Sequence, residues 1–178
     1  MTRQRFRFAA LAVSLAFGGF MFFGLVGRAD ELTLGATLPS VQAPDQDGKT
    51  VDLAAEGSKG WTLVYFYPKA DTPGCTKQAC SLRDAYSVLT DKGVRVYGVS
   101  ADDPAAQKAF QQKYKLPFTL LADSEKKVMD AFGVPHVLGV AKREAFLFRD
   151  GKLYWRDLAA KTEQQAADVL AAIATPAS

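Results

Sequence analysis

Histidine occurs once in the chain, at His136, and cysteine twice, at Cys75 and Cys80. So few ligands do not complete a four-coordinate zinc site, and two cysteines do not make a disulfide-dense scaffold. The pair is spaced C-x-x-x-x-C, so the C-x-x-C of ordinary disulfide exchangers is also lacking. A cysteine protease needs a histidine base. His136 lies in the Pro/Gly-rich stretch "GVPHVLG", has no partner motif, and reads as a loop or surface residue. Neither G-x-G-x-x-G nor a P-loop is present. No cofactor and no metal are expected. An excess of positive charge is missing too, once the start of the chain is set aside. Arg3, Arg5, Arg7 and Arg28 are four of 22 basic residues, and the rest are balanced by 19 acidic ones. No basic stripe interleaved with aromatics appears, so nucleic acid is not an expected partner.

The sequence begins with a basic leader, "TRQRFRF", and a long uncharged apolar run, "FAALAVSLAFGGFMFFGLVG". "GRAD" follows, with Gly27 and Ala29 at the −3 and −1 places of a cleavage site. Residues 1–29 therefore read as a secretory signal peptide or as an uncleaved anchor, since ~20 residues of helix just span a bilayer core. Either would place the rest in the periplasm, free or anchored in the inner membrane and facing it. The membrane would be met only through that segment. Residues 30–178 are enough for one well-buried domain and too few for two.

After Asp30, "LPSVQAPDQDGKTVDL" reads as a hairpin turning at Asp47-Gly48. "WTLVYFY" from Trp61 to Tyr67 is apolar throughout, as in a central strand covered on both faces. "VRVYGVS", Val94 to Ser100, is its expected parallel neighbour. Between them, Ala79, Leu82, Tyr86 and Leu89 recur at helical spacing, predicting one helix from about Thr76 to Lys92, closed by Gly93. Asp103-Pro104 opens a second helix that carries Ala106, Phe110 and Tyr114 and ends before Pro117. "FTLLAD" is a further strand, and a short helix with Val128, Ala131 and Phe132 stops at Gly133. "REAFLF" and "KLYWRD" form a hairpin about Asp150-Gly151. The last helix is expected to start at Thr162, with Gln165 three residues on in capping-box spacing, and to bury Ala166, Val169, Leu170 and Ile173. The order is α/β: an N-terminal hairpin, then a mixed central sheet flanked by helices, an arrangement that by analogy resembles the thioredoxin-like fold.

The cysteines raise a geometric problem. Five residues apart in a regular helix, their Cα atoms stand roughly 8.7 Å apart, beyond disulfide reach. Closing so short a loop restrains the unfolded chain by only about 2 kcal/mol. Unravelling the helix costs a comparable amount, so a fixed staple is a weak use of the spacing. A bond made and broken in turn fits better. Cys75 falls in the first helical turn, where free N–H groups and the helix dipole favour a thiolate. Gly74 permits a close approach of the backbone, and Pro73 has no N–H to leave unpaired. Cys80 lies further in and emerges when the helix frays.

At these residues the chain resembles the peroxiredoxins, and more narrowly their Q-type, or bacterioferritin-comigratory, branch. "FYPKADTPGCTKQAC" contains P-x-x-x-T-x-x-C as Pro68, Thr72 and Cys75, with a second cysteine five positions on. "GVSADDP", "LPFTLLADSEKKVMDAFGV" and "REAFLFRDGKL" follow in the family's order, so the resemblance runs from about Gly35 to Ala174. It implies that Cys75 is the peroxidatic cysteine and Cys80 the resolving one. It also implies that Thr72, Arg143 and the N–H of Cys75 hold the peroxide oxygens, and that Pro68 shields the sulfur. "GVPHVLGVAK" is shorter than the corresponding stretch of many relatives and leaves Lys142 as a competitor for the arginine's place. The implied activity is reduction of hydrogen peroxide and organic hydroperoxides by a monomer, with a thioredoxin-like dithiol as reductant. A thiol-disulfide oxidoreductase without peroxidase activity and a redox-inert binding module are the alternatives.

Overall fold

Two kinds of covering explain the alternation of strands and helices. The computed structural model describes residues 31–175. The signal or anchor expectation for residues 1–29 lies outside them. The elements follow in chain order. β1 (Gln42–Pro44) and β2 (Thr50–Asp52) form the hairpin, followed by a one-turn helix α1 (Leu53–Glu56). Next come β3 (Trp61–Phe66), α2 (Pro73–Asp84), α3 (Tyr86–Asp91), β4 (Val94–Ser100) and α4 (Pro104–Tyr114). β5 (Thr119–Ala122), α5 (Lys127–Phe132) and the small hairpin β6 (His136–Val137) and β7 (Val140–Ala141) follow. β8 (Ala145–Arg149), β9 (Lys152–Asp157) and α6 (Gln165–Ala174) close the chain.

The central sheet has the order β5-β4-β3-β8-β9, parallel on one side of β3 and antiparallel on the other. This is the expected mixed α/β sheet. β3 sits in its middle, which is why "WTLVYF" has no polar alternation: successive side chains point to opposite faces, and both are covered. Leu63 and Tyr65 join Val96, Leu120 and Leu147 in one core cluster, with Ala79 and Leu82 of α2, Phe110 of α4 and Val169 of α6. Val64 and Phe66 join Val99, Phe146 and Phe148 in the other, beneath Phe132 of α5.

Two expectations are corrected. The stretch between β3 and β4 is not one helix but two, broken at Ala85, which has φ −98° and ψ 8°. No glycine or proline marks the break. It turns the chain so that Tyr86 packs against Phe118, with ring centroids 6.0 Å apart. Nor does Thr162 cap the last helix, which begins at Gln165 after Gln164, with no local side-chain cap. Its buried face is Gln165, Ala166, Val169 and Ala172, while Leu170 and Ile173 pack only partly buried at the edge.

Candidate active site

The site is assembled where β3 ends and α2 begins. Tyr67 and Pro68 lead out of the sheet, and residues 68–72 form a short loop with two tethers to the rest of the domain. The Asp102 carboxylate accepts from Ala70 N–H at 2.7 Å. Asp71, in left-handed conformation at φ 57°, is held by Lys113 Nζ at 2.7 Å and the Tyr114 hydroxyl at 2.6 Å. Those two donors, Lys113 first, keep the Asp71 carboxyl below its ordinary range. α4 thus fixes the loop that aims α2.

Pro73 opens α2 with a preset φ and no amide hydrogen. The first helical bond runs from Thr76 N–H to Thr72 C=O at 2.8 Å. The N–H groups of Gly74 and Cys75 therefore have no acceptor within the helix and point out of its positive end. Cys75 is third in the helix and only 1% exposed. Arg143, from the segment between β7 and β8, brings Nη2 to 3.5 Å from its sulfur. The sulfur thus lies between a guanidinium and the positive end of a helix. A Cβ on Gly74 would lie 3.2 Å from that same Nη2, so the glycine leaves room for the guanidinium.

Both cysteines are free thiols, Cys75 buried and Cys80 half-buried, on an unbroken α2. Arg143, not Lys142, meets the cysteine; Lys142 is exposed and its Nζ lies 3.3 Å from Glu144 Oε1. Thr72 does not turn its hydroxyl to the sulfur: Oγ1 donates to Lys69 C=O at 3.0 Å and closes the loop. Pro68 is half-buried just past the end of β3. His136 is half-buried on β6 and pairs with Asp130 at 3.0 Å. No group of three or more His, Cys, Asp or Glu side chains with metal-site geometry occurs among the described residues.

Sequence reasoning missed Gln78. Its Oε1 accepts from Arg143 Nη1, and its Nε2 donates to Gln165 Oε1 at 2.8 Å. Both glutamines are fully buried. The signal was present, since Cys75, Gln78, Ala79 and Leu82 share one face at i, i+3, i+4 and i+7.

Known proteins share this architecture. The peroxidoxin BcpB of Mycobacterium tuberculosis superposes with a TM-score of 0.76 at 30% identity, over 81% of this chain and 97% of that one. A Xanthomonas campestris peroxiredoxin Q superposes with a TM-score of 0.72 at 28% identity, over 80% and 96%. The fold is thus the thioredoxin-like one of the peroxiredoxins. In sequence, the chloroplastic peroxiredoxin Q of Populus jackii is 50% identical over 101 residues, 57% of this chain and 47% of the relative. The chloroplastic peroxiredoxin Q of Triticum aestivum is 49% identical over 105 residues, 59% and 48%. The chain spans about half the length of the curated relatives it matches. These relatives are named chloroplastic, which overturns the expectation of periplasmic export. With residues 34–156 matched, the chain belongs to the AhpC/TSA family.

Proposed function

We propose that the protein is a thiol peroxidase in which Cys75 is the peroxidatic cysteine and Cys80 resolves it. The observation that carries the reading is the placement of Cys75 Sγ, in the first turn of α2 and 3.5 Å from Arg143 Nη2. The thiolate attacks one oxygen of a hydroperoxide. An S–O bond forms, the O–O bond breaks, and the leaving oxygen departs as water or an alcohol after taking a proton. Charge builds on that oxygen in the transition state, where Arg143 and the outward N–H groups of the helix end stabilise it. Thr72 and Pro68 shape the loop beside the sulfur. The sulfur itself becomes a sulfenic acid.

Resolution follows from position. The Cys80 thiol, giving up its proton, attacks the Cys75 sulfur; the S–S bond forms, the S–O bond breaks, and the oxygen takes that proton and leaves as water. The six residues from Cys75 to Cys80 lie in regular helix, so the first turns of α2 must open. A thioredoxin-like dithiol then exchanges with the disulfide and returns both thiols. The catalytic unit is the domain of residues 30–178, working as a monomer.

A thiol-disulfide carrier without peroxidase activity is disfavoured. Its attacking sulfur must meet a protein disulfide, and Cys75 is 1% exposed. A small hydroperoxide has no such requirement. Peroxide consumption driven by a dithiol tests the reading. Cys75→Ser is expected to abolish turnover, and Cys80→Ser to form one sulfenic acid at near-normal rate without recycling. Turnover surviving in Cys75→Ser would overturn the assignment, and size-exclusion chromatography checks the monomer.

A further inference from the structure

A primary amide has an accepting end and a donating end, so a chain of amides has a direction. Arg143 only donates, and it needs the oxygen of Gln78. That turns Gln78 Nε2 to the far side, where it needs an oxygen in its turn, and Gln165 Oε1 supplies one at 2.8 Å. With either amide reversed, N–H would face N–H. The direction leaves a remainder. Gln165 Nε2 is buried and has no hydrogen-bond partner among the described residues.

A buried donor without an acceptor is a sizeable penalty. Were Gln165 only filling space beneath α2, methionine or leucine would fill it without that penalty. The useful atom is the oxygen. Gln165 also lies at the start of α6, held by its burial with Ala166 and Val169, so the acceptor is fixed to a rigid element.

We propose that Gln165 is a positioning residue. Its Oε1 orients the Gln78 amide, which in turn holds the Arg143 guanidinium against the Cys75 sulfur. The proposal deepens the peroxidase reading and rests on it. It also sets when the clamp acts: Gln78 lies between the two cysteines, so opening of α2 withdraws Gln78 from Gln165 and releases Arg143.

The test uses the full chain in a Cys80→Ser background, with Gln165→Leu, Gln165→Met and Gln165→Glu. Two rates are followed: sulfenic acid formation with hydrogen peroxide, and alkylation of Cys75 by iodoacetamide at about pH 6 and about pH 8.5. Gln165→Leu is expected to melt near the parent temperature and to oxidise about tenfold more slowly. Its alkylation at the lower pH should fall relative to the higher. Gln165→Met repeats the measurement should the branched side chain prevent folding. Gln165→Glu keeps an oxygen toward Gln78 and is expected to recover most of the rate. Parent-like oxidation and an unchanged alkylation ratio in the folded apolar variants would overturn the proposal, as would Gln165→Glu as slow as Gln165→Leu. Should the parent itself ignore peroxide, the peroxidase reading fails, while the alkylation ratio still decides the role of Gln165.

Discussion

Ser81 of α2 caps Ala166 of α6 across the domain. Its Oγ accepts from the Ala166 N–H at 3.2 Å and donates to Glu163 C=O at 3.3 Å. The last helix lacks a side-chain cap of its own and borrows one from the helix that carries both cysteines. Nearby, Lys77 and Glu163 form an ion pair at 2.7 Å, but both are well exposed and contribute little.

Removing the borrowed cap gives the first prediction. Ser81→Ala is expected to lower stability by about 1 kcal/mol, the usual value of an N-terminal cap. The midpoint of urea unfolding measures it. A midpoint unchanged from the parent would mean that solvent replaces Ser81 at that N–H.

Oxidation should act on the same contact. Lys77 and Gln78 lie inside the loop that a Cys75–Cys80 disulfide closes, and Ser81 is the next residue. Opening about two turns of α2 therefore loosens the start of α6 as well. Hydrogen exchange in the disulfide form is expected to quicken both at 73–81 and at 163–169, while β3 stays protected. Faster exchange confined to 73–81 would show that α6 does not depend on α2.

Gly74→Ala separates stability from rate. The position is helical with an ordinary negative φ, so alanine there should add roughly 0.5–1 kcal/mol of stability. The new Cβ would stand 3.2 Å from Arg143 Nη2, close enough to displace the guanidinium by a few tenths of an ångström. A higher melting temperature with a several-fold slower oxidation of Cys75 is the expected combination. A variant both more stable and equally fast would mean that Arg143 tolerates the shift.

These contacts also mark what sequence alone could reveal. The buried strand Trp61–Phe66, the turns at Asp47-Gly48 and Asp150-Gly151 and the proline-led helix α4 are local signals, and the structure keeps them. Cys75 and Arg143 were legible through the resemblance, and the structure brings them together. The break at Ala85 was not legible, because no glycine or proline marks it and the contact beside it, Tyr86 on Phe118, joins segments distant in sequence. Thr162 and Gln165 offered a capping box, yet Gln165 is drawn inward to Gln78 and the cap is taken over by Ser81. A buried amide reads in sequence like a solvated one. Only the facing helix shows which it is.

A last prediction concerns pH, and its sign follows from burial. Asp123, after β5, is 2% exposed and accepts from Val128 N–H at 3.0 Å and Met129 N–H at 2.9 Å at the start of α5. Burial pushes its carboxyl above the ordinary value, and the two backbone hydrogen bonds only partly offset this. The folded state therefore holds the proton more tightly than the unfolded chain. Asp123 contributes stability that is fully present below the unfolded carboxylate range and is lost as pH rises through the raised folded value. Asp71, Asp47 and Asp52 are shifted the other way, but they are common to parent and variant and cancel in the difference. Asp123→Asn stays neutral and accepts only one of the two N–H groups. The variant should be the less stable protein at about pH 4, with the gap to the parent narrowing by about pH 6.5. Urea unfolding of both proteins at the two pH values measures it, and a gap that stays constant or widens would mean that the Asp123 carboxyl is not raised.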